Sequence, residues 1–164
     1  MLSSSFIKLM EVLPKPLVMK LAKMKVNGYM RKYAKINVKG LENIDKISGP
    51  KIFVCNHLSN SDGLVLNEVL KRYDPTFVAG VKLSNNPITS IGSMVVKKIS
   101  INPNTVDKDA IIKMVDILKS GNNLMIFPEG TRSRGIGMHH FKAGSFKIMH
   151  KTDALLVMCA IDGS

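Results

Sequence analysis

A chain of 164 residues with 45% hydrophobic and 22% charged side chains is long enough for one domain with a substantial core, and too apolar to be intrinsically disordered. Its two cysteines form no CxxC pair, and with histidines at 57, 139, 140 and 150 they make no zinc-type ligand spacing, so neither a disulfide framework nor a metal site is expected. The net charge of +12 is uneven: residues 1–40 hold nine Lys or Arg against the single acid Glu11, a net of +8, which leaves +4 for the other 124 residues.

The opening run around Phe6–Leu13 is interrupted by Lys8 and Glu11 and lacks the apolar stretch and cleavage site of a signal peptide. From Leu17 to Ala34, Val18, Met19, Ala22, Val26, Tyr29, Met30 and Tyr33 recur at helical spacing, with Lys20, Lys23, Asn27, Arg31 and Lys35 on the other side. That pattern predicts a basic amphipathic helix, docked on the domain or lying on an anionic membrane surface. No run reaches the roughly 20 apolar residues needed to cross a bilayer. Residues 1–35 thus read as a membrane-surface segment and 36–164 as a separate domain, peripheral to the membrane. Ile36 to Pro50 is a connector with a short strand at its start.

Lys51 to Cys55 reads as a buried strand, Leu64 to Arg72 as a helix, and Thr76 to Val81 as a second strand after the Asp74-Pro75 turn. A helix near Ile88 to Ser93 precedes the β-branched runs Val95-Val96 and Ile99 to Ile101. Asp107 to Ser120 carries Ile111, Ile112, Val115 and Leu118 inward as a helix, with Gly121 as its cap. Leu124 to Phe127 is a further strand, Phe141 to Lys151 a helix, and Ala154 to Ile161 a last strand. Cys55 and Cys159 fall within apolar runs as buried thiols. Strands alternating with helices predict an α/β domain with a mainly parallel or mixed sheet flanked by helices.

In such sheets ligands collect beyond the carboxyl ends of the strands, where two polar stretches fall. The first is Asn56 to Asp62. Residues five apart on one helix lie about 140° off a common face. His57 and Asp62 can meet if His57 sits in the turn after the strand and Asp62 enters the first turn of the next helix. The pair is then a candidate general base with its orienting acid. The second stretch is Phe127-Pro128-Glu129-Gly130-Thr131-Arg132-Ser133-Arg134, where Pro128 and Gly130 enforce a tight turn and Arg132 can grip a phosphate with two parallel hydrogen bonds. Taken singly, His57 reads as a structural histidine, Asp62 as a helix N-cap, and Glu129 as a partner of Arg132. Their joint occurrence points to a site.

Asn56, His57-x4-Asp62 and then Phe127-Pro128-Glu129-Gly130-Thr131-Arg132, 72 residues from His57 to Glu129, resemble the glycerolipid acyltransferase family. The similarity is strongest to its 1-acyl-sn-glycerol-3-phosphate acyltransferase type and runs from Ile52 to Ile161. The resemblance implies transfer of an acyl chain from acyl-coenzyme A or acyl-carrier protein to the free hydroxyl of a lysophospholipid, giving phosphatidic acid. It makes His57 and Asp62 catalytic, and places Glu129, Gly130, Thr131, Arg132 and Lys98 at the substrate. No cofactor or metal is implied beyond the acyl co-substrate. Lys98 enters through Gly92-Ser93-Met94-Val95-Val96-Lys97-Lys98, where the family usually has Arg last, and Val157-Met158-Cys159 has Met158 where the family has Pro. The expected partners are an anionic membrane surface, the lysophospholipid and the acyl donor, with no nucleic acid, since no recognition motif is present. The expected location is the cytoplasmic face of the cell membrane. The chain is also expected to lack the family's last elements, and the alternative reading is a membrane-surface relative with little or no turnover, or an acyltransferase acting on another lysolipid or on glycerol 3-phosphate.

Overall fold

The computed structural model describes residues 13–80, 95–102, 107–133, 137–143, 147–148 and 150–163. The chain divides into two compact units, residues 1–36 with 83–96 and residues 37–82 with 97–164.

The described part of the first unit is dominated by helix α1 (Lys15–Tyr33), which starts behind Pro14 with Pro16 in its first turn and ends at Ala34 in extended backbone. Val18, Ala22 and Met30 are buried, at spacings of four and eight, while Leu17, Met24, Tyr29 and Tyr33 are exposed. The inward stripe is therefore narrower than the sequence pattern suggests. Tyr29 and Tyr33, on the expected apolar side, pair with each other one turn apart with ring centroids 4.8 Å apart, and Lys32 Nζ lies 5.2 Å from the Tyr33 ring.

The second unit holds the sheet. Where a short strand is expected after Ile36, the chain has no regular structure until helix α2 (Leu41–Ile44), which Gly40 opens at φ 82°. Strand β1 (Lys51–Cys55) is buried at all five positions. Helix α3 (Asp62–Val69) is followed by a 3₁₀ turn (Lys71–Tyr73) rather than one helix through Arg72, because Asp74 takes a left-handed φ of 41° and stands before Pro75. Strand β2 (Thr76–Gly80) and strand β3 (Lys98–Ile101) follow; the helix expected near Ile88 to Ser93 lies outside the described residues, and Val95-Val96 is not part of β3. Helix α4 (Lys108–Lys119) is capped by the Asp107 carboxylate, which accepts from Ala110 N at 3.0 Å. Strand β4 (Leu124–Ile126) and strand β5 (Leu155–Cys159) complete the sheet. Of the helix expected over Phe141 to Lys151, Lys147 and Ile148 are helical, whereas Phe141–Ala143 and His150–Lys151 are not.

The five strands run in the order β3-β2-β4-β1-β5, every pairing parallel. The expected α/β class holds, with a wholly parallel sheet. One face carries Ile52, Val54, Leu124 and Ile126, packed with Ala110, Met114 and Leu118 of α4 and with Ile148. Phe53, which alternates with Ile52 and Val54, points to the other face and meets the Tyr73 ring at 5.7 Å. From β1 the chain crosses β4 to reach β2, and from β4 it crosses β1 to reach β5. Right-handed crossovers in opposite directions leave the sheet by opposite faces, and the carboxyl ends of the adjacent strands β4 and β1 are the switch point where open α/β sheets place their ligand crevice.

Candidate active site

Both polar stretches lie at that crevice. His57 stands in the loop after β1 and Asp62 is the first residue of α3, and the two side chains meet: His57 Nδ1 is 2.8 Å from Asp62 Oδ2. Asp62 is fully buried. Its Oδ2 also accepts from the amides of Leu58 at 2.6 Å and Ser59 at 2.9 Å, and its Oδ1 accepts from Ser59 Oγ at 3.0 Å. Four donors on one carboxyl group are what an acceptor-only carboxylate needs, so the imidazole carries its proton on Nδ1 and donates it. Nε2 then holds the free lone pair, and among the described residues it has no partner. The ring retains 22% exposure, enough for a substrate to reach it.

The loop after β4 supports His57 from three sides. Phe127 stacks on the imidazole with centroids 4.1 Å apart and planes at 18°. Glu129 Oε1 accepts from His57 N at 2.7 Å, and Ser133 N donates to His57 O at 2.8 Å. Glu129 Oε2 is taken by Ser133 Oγ at 2.7 Å and His139 N at 2.9 Å. Expected beside the acceptor's phosphate, Glu129 instead turns inward, 2% exposed, with both oxygens bonded to the protein. A carboxylate facing a phosphate would be repelled; buried among three donors it is satisfied. Burial alone would raise its pKa, but the bonds from His139, Ser133 and His57 outweigh that and hold it below the ordinary value of 4.5.

Gly130 closes the turn at φ 68°, with its N–H on Phe127 O at 3.0 Å. Thr131 is exposed and Arg132 half-buried, and neither has an acidic partner among the described residues. Lys98 does not join this group. In the parallel register it pairs with Phe77, which aligns with Met125 and then Phe53, so it sits level with the middle of β1 and three strands away from it. Partial burial there lowers its pKa from the ordinary lysine value.

Asn56 ties the loop to the end of β5: its Nδ2 donates to Ile161 O at 2.9 Å, and Ile161 N donates to its Oδ1 at 2.8 Å. Cys55, just before it, is buried as expected, whereas Cys159, its register partner on β5, is only half-buried. Burial, with Cys159, Asp62 and Glu129 nearby, pushes the Cys55 thiol up to about 12. It stays protonated and is no nucleophile at neutral pH. Among the described residues no group of three or more His, Cys, Asp or Glu is arranged to hold a metal ion. The stacking by Phe127 and the use of Ser59 and Ser133 as ligands of the two carboxylates escape the sequence reading, because neither residue type nor spacing marks which neighbour a loop side chain will face.

A family model described as Acyltransferase matches residues 35–162. Over 135 residues the chain is 29% identical to a chloroplastic 1-acyl-sn-glycerol-3-phosphate acyltransferase of Arabidopsis thaliana, covering 80% of this chain and 37% of the relative. Over 122 residues it is 34% identical to a 1-acyl-sn-glycerol-3-phosphate acyltransferase of Borreliella burgdorferi, covering 72% and 47%. The chain thus spans less than half the length of these curated relatives. The fold is similar to the crystal structure of a 1-acyl-sn-glycerophosphate acyltransferase from Thermotoga maritima, with a TM-score of 0.56 and 22% identity over 92% of this chain and 62% of that one.

Proposed function

This chain belongs to the acyltransferase family, and on that footing we propose that it moves a fatty acyl group from an acyl thioester, acyl-coenzyme A or acyl-carrier protein, to the free hydroxyl of 1-acyl-glycerol 3-phosphate, giving phosphatidic acid. The observation that carries the reading is the imidazole of His57, held by Asp62 at 2.8 Å, beside a turn that bears Arg132, with neither Nε2 nor Arg132 partnered among the described residues. The relatives bearing the name of that activity agree with it.

The acceptor hydroxyl gives its proton to Nε2 as its oxygen attacks the thioester carbonyl. Asp62 fixes the tautomer and stabilises the imidazolium that forms. When the tetrahedral intermediate collapses, the C–S bond breaks and the leaving thiolate takes the proton back from Nε2, so the products are an ester and a free thiol. No acyl-enzyme is needed, in keeping with the unreactive Cys55. Phe127 and Glu129 keep the ring and its main chain in place, and Arg132, with Gly130 and Thr131, holds the acceptor's phosphate.

The same reading places the enzyme on an anionic membrane surface, where its lipid acceptor resides. Helix α1 supports this with Lys15, Lys20, Lys23, Lys25, Arg31 and Lys32 among exposed Leu17, Met24, Tyr29 and Tyr33. Among the described residues no helix is long and apolar enough to cross a membrane. The decisive experiment supplies the full chain, in liposomes, with lysophosphatidate and a labelled acyl thioester of either carrier. Labelled phosphatidate is expected; a folded chain that transfers label from neither donor sinks the reading.

A further inference from the structure

We propose that Lys142 is a second cation for the acceptor's phosphate monoester, carried by the same turn as Arg132; the inference rests on the acyl-transfer reading and assigns it a residue that the motifs do not contain. The main chain of Lys142 is pinned to the turn by its N–H on Pro128 O at 2.8 Å, just as His139 N is pinned to Glu129 three residues earlier. From there its side chain lies across Gly130. A Cβ on Gly130 would stand 2.9 Å from Lys142 Nζ, 3.0 Å from Cε and 3.3 Å from Cδ. The left-handed φ of Gly130 favours glycine, and its bare Cα lets the ammonium rest directly on the turn.

Among the described residues nothing neutralises that ammonium. Lys142 has no acidic partner among the described residues, and Glu129, the carboxylate of the turn it lies on, is turned inward and bonded to three donors. Arg132, on the same turn, has no acidic partner among the described residues either. A doubly charged phosphate monoester suits a planar guanidinium and a compact ammonium presented by one turn. Lys98, the sequence's own candidate for this task, stands three strands from β1 and leaves the role open. The acyl donor can also bring phosphate groups when it is coenzyme A, so the test has to separate the two substrates.

Steady-state kinetics of the full chain with Lys142→Met should show an acceptor KM raised about tenfold, a kcat changed by no more than about threefold, and an unchanged KM for the acyl thioester. Lys142→Arg should restore most of the loss. An unchanged acceptor KM, a change confined to the donor, or an equal loss with a monoacylglycerol acceptor that has no phosphate overturns the assignment. Calorimetric titration with inorganic phosphate needs no turnover: Lys142→Met should weaken binding about tenfold, and equal affinities reject the role of Lys142. Intact phosphate binding in a wild-type chain that transfers no acyl group overturns the acyl-transfer reading alone.

Discussion

At the amino end of the sheet Asn123 accepts from Lys51 N at 2.8 Å, donates to Tyr73 O at 2.6 Å, and takes Thr76 N on its own carbonyl at 2.9 Å, joining the starts of β1, β2 and β4. At the carboxyl end Asn56 makes a comparable pair of hydrogen bonds to Ile161, and Asp62 and Glu129 fill their oxygens with protein donors. The two ends differ in what is left over. The polar groups around Asn123, Thr76 Oγ1 apart, are used within the protein, even Lys51, whose Nζ donates to Gly49 O at 2.8 Å. The carboxyl end leaves His57 Nε2, Arg132 and Lys142 without a partner among the described residues. A buried network that closes on itself contributes stability; one that closes around outward-facing, unfilled groups prepares a site.

The largest expected effect breaks the carboxyl end alone. His57→Ala should lower turnover by roughly 10²–10⁴, the usual contribution of a general base. Its unfolding free energy should move less, by about 1–3 kcal/mol, since buried Asp62 loses one of several donors and Phe127 its stacking partner. Turnover close to wild type in a folded variant would deny the base to His57. Asn123→Ala should do the reverse. It strands Lys51 N and Tyr73 O, at about 1–2 kcal/mol for each part-buried group left unsatisfied, so urea unfolding should register a loss of about 2–4 kcal/mol with kcat within about twofold. A large fall in kcat without loss of stability would show that the two ends are not separate.

Much of this division could be read from the chain. The run Lys51–Cys55 and the four-residue gap between His57 and Asp62 specify a strand, a turn and a helix start that bring the pair together, and the structure places them at 2.8 Å. Strand and helix periodicity likewise gave the parallel α/β class. Strand order was not legible, because periodicity says nothing of which strands become neighbours, and Lys98 was drawn toward the site by a motif rather than by register. The inward turn of Glu129 was hidden for a related reason. A loop carboxylate looks the same in sequence whether it meets a ligand or three amides and hydroxyls of its own chain. Lys142 sits twelve residues past Gly130, and only the folded strap from His139 shows that it lies over the turn.

Glu129 tests the boundary between the two kinds of network, because it closes a buried cluster and also holds His57 N. In Glu129→Gln the amide oxygen can accept from Ser133 and His139, which leaves the NH₂ facing His57 N–H, donor against donor. A loss of about 1–3 kcal/mol in stability and a fall in kcat are expected together. The pH dependence has a definite sign. The folded pKa of Glu129 is depressed, so its contribution is complete above the ordinary value of 4.5 and is lost as pH falls through the lower folded value. The stability gap between wild type and variant should therefore narrow below about pH 4.5; a gap that stays constant into acid would mean that the charge is not what the three donors hold.

The smallest effect sharpens the amino end. Thr76 Oγ1 is the one buried side-chain polar atom without a hydrogen bond among the described residues, in a position otherwise closed by Asn123. Its neighbours in the sheet are apolar: Leu124 is its register partner on β4, and Phe77 follows it in β2. The hydroxyl brings a desolvation cost with no bond to offset it, whereas its methyl group packs. Thr76→Val keeps the branched shape and removes that cost. Stability should rise by up to about 1 kcal/mol, with kcat unchanged. A loss of more than about 1 kcal/mol would mean that the hydroxyl has a partner after all, and that the amino end keeps a polar contact of its own.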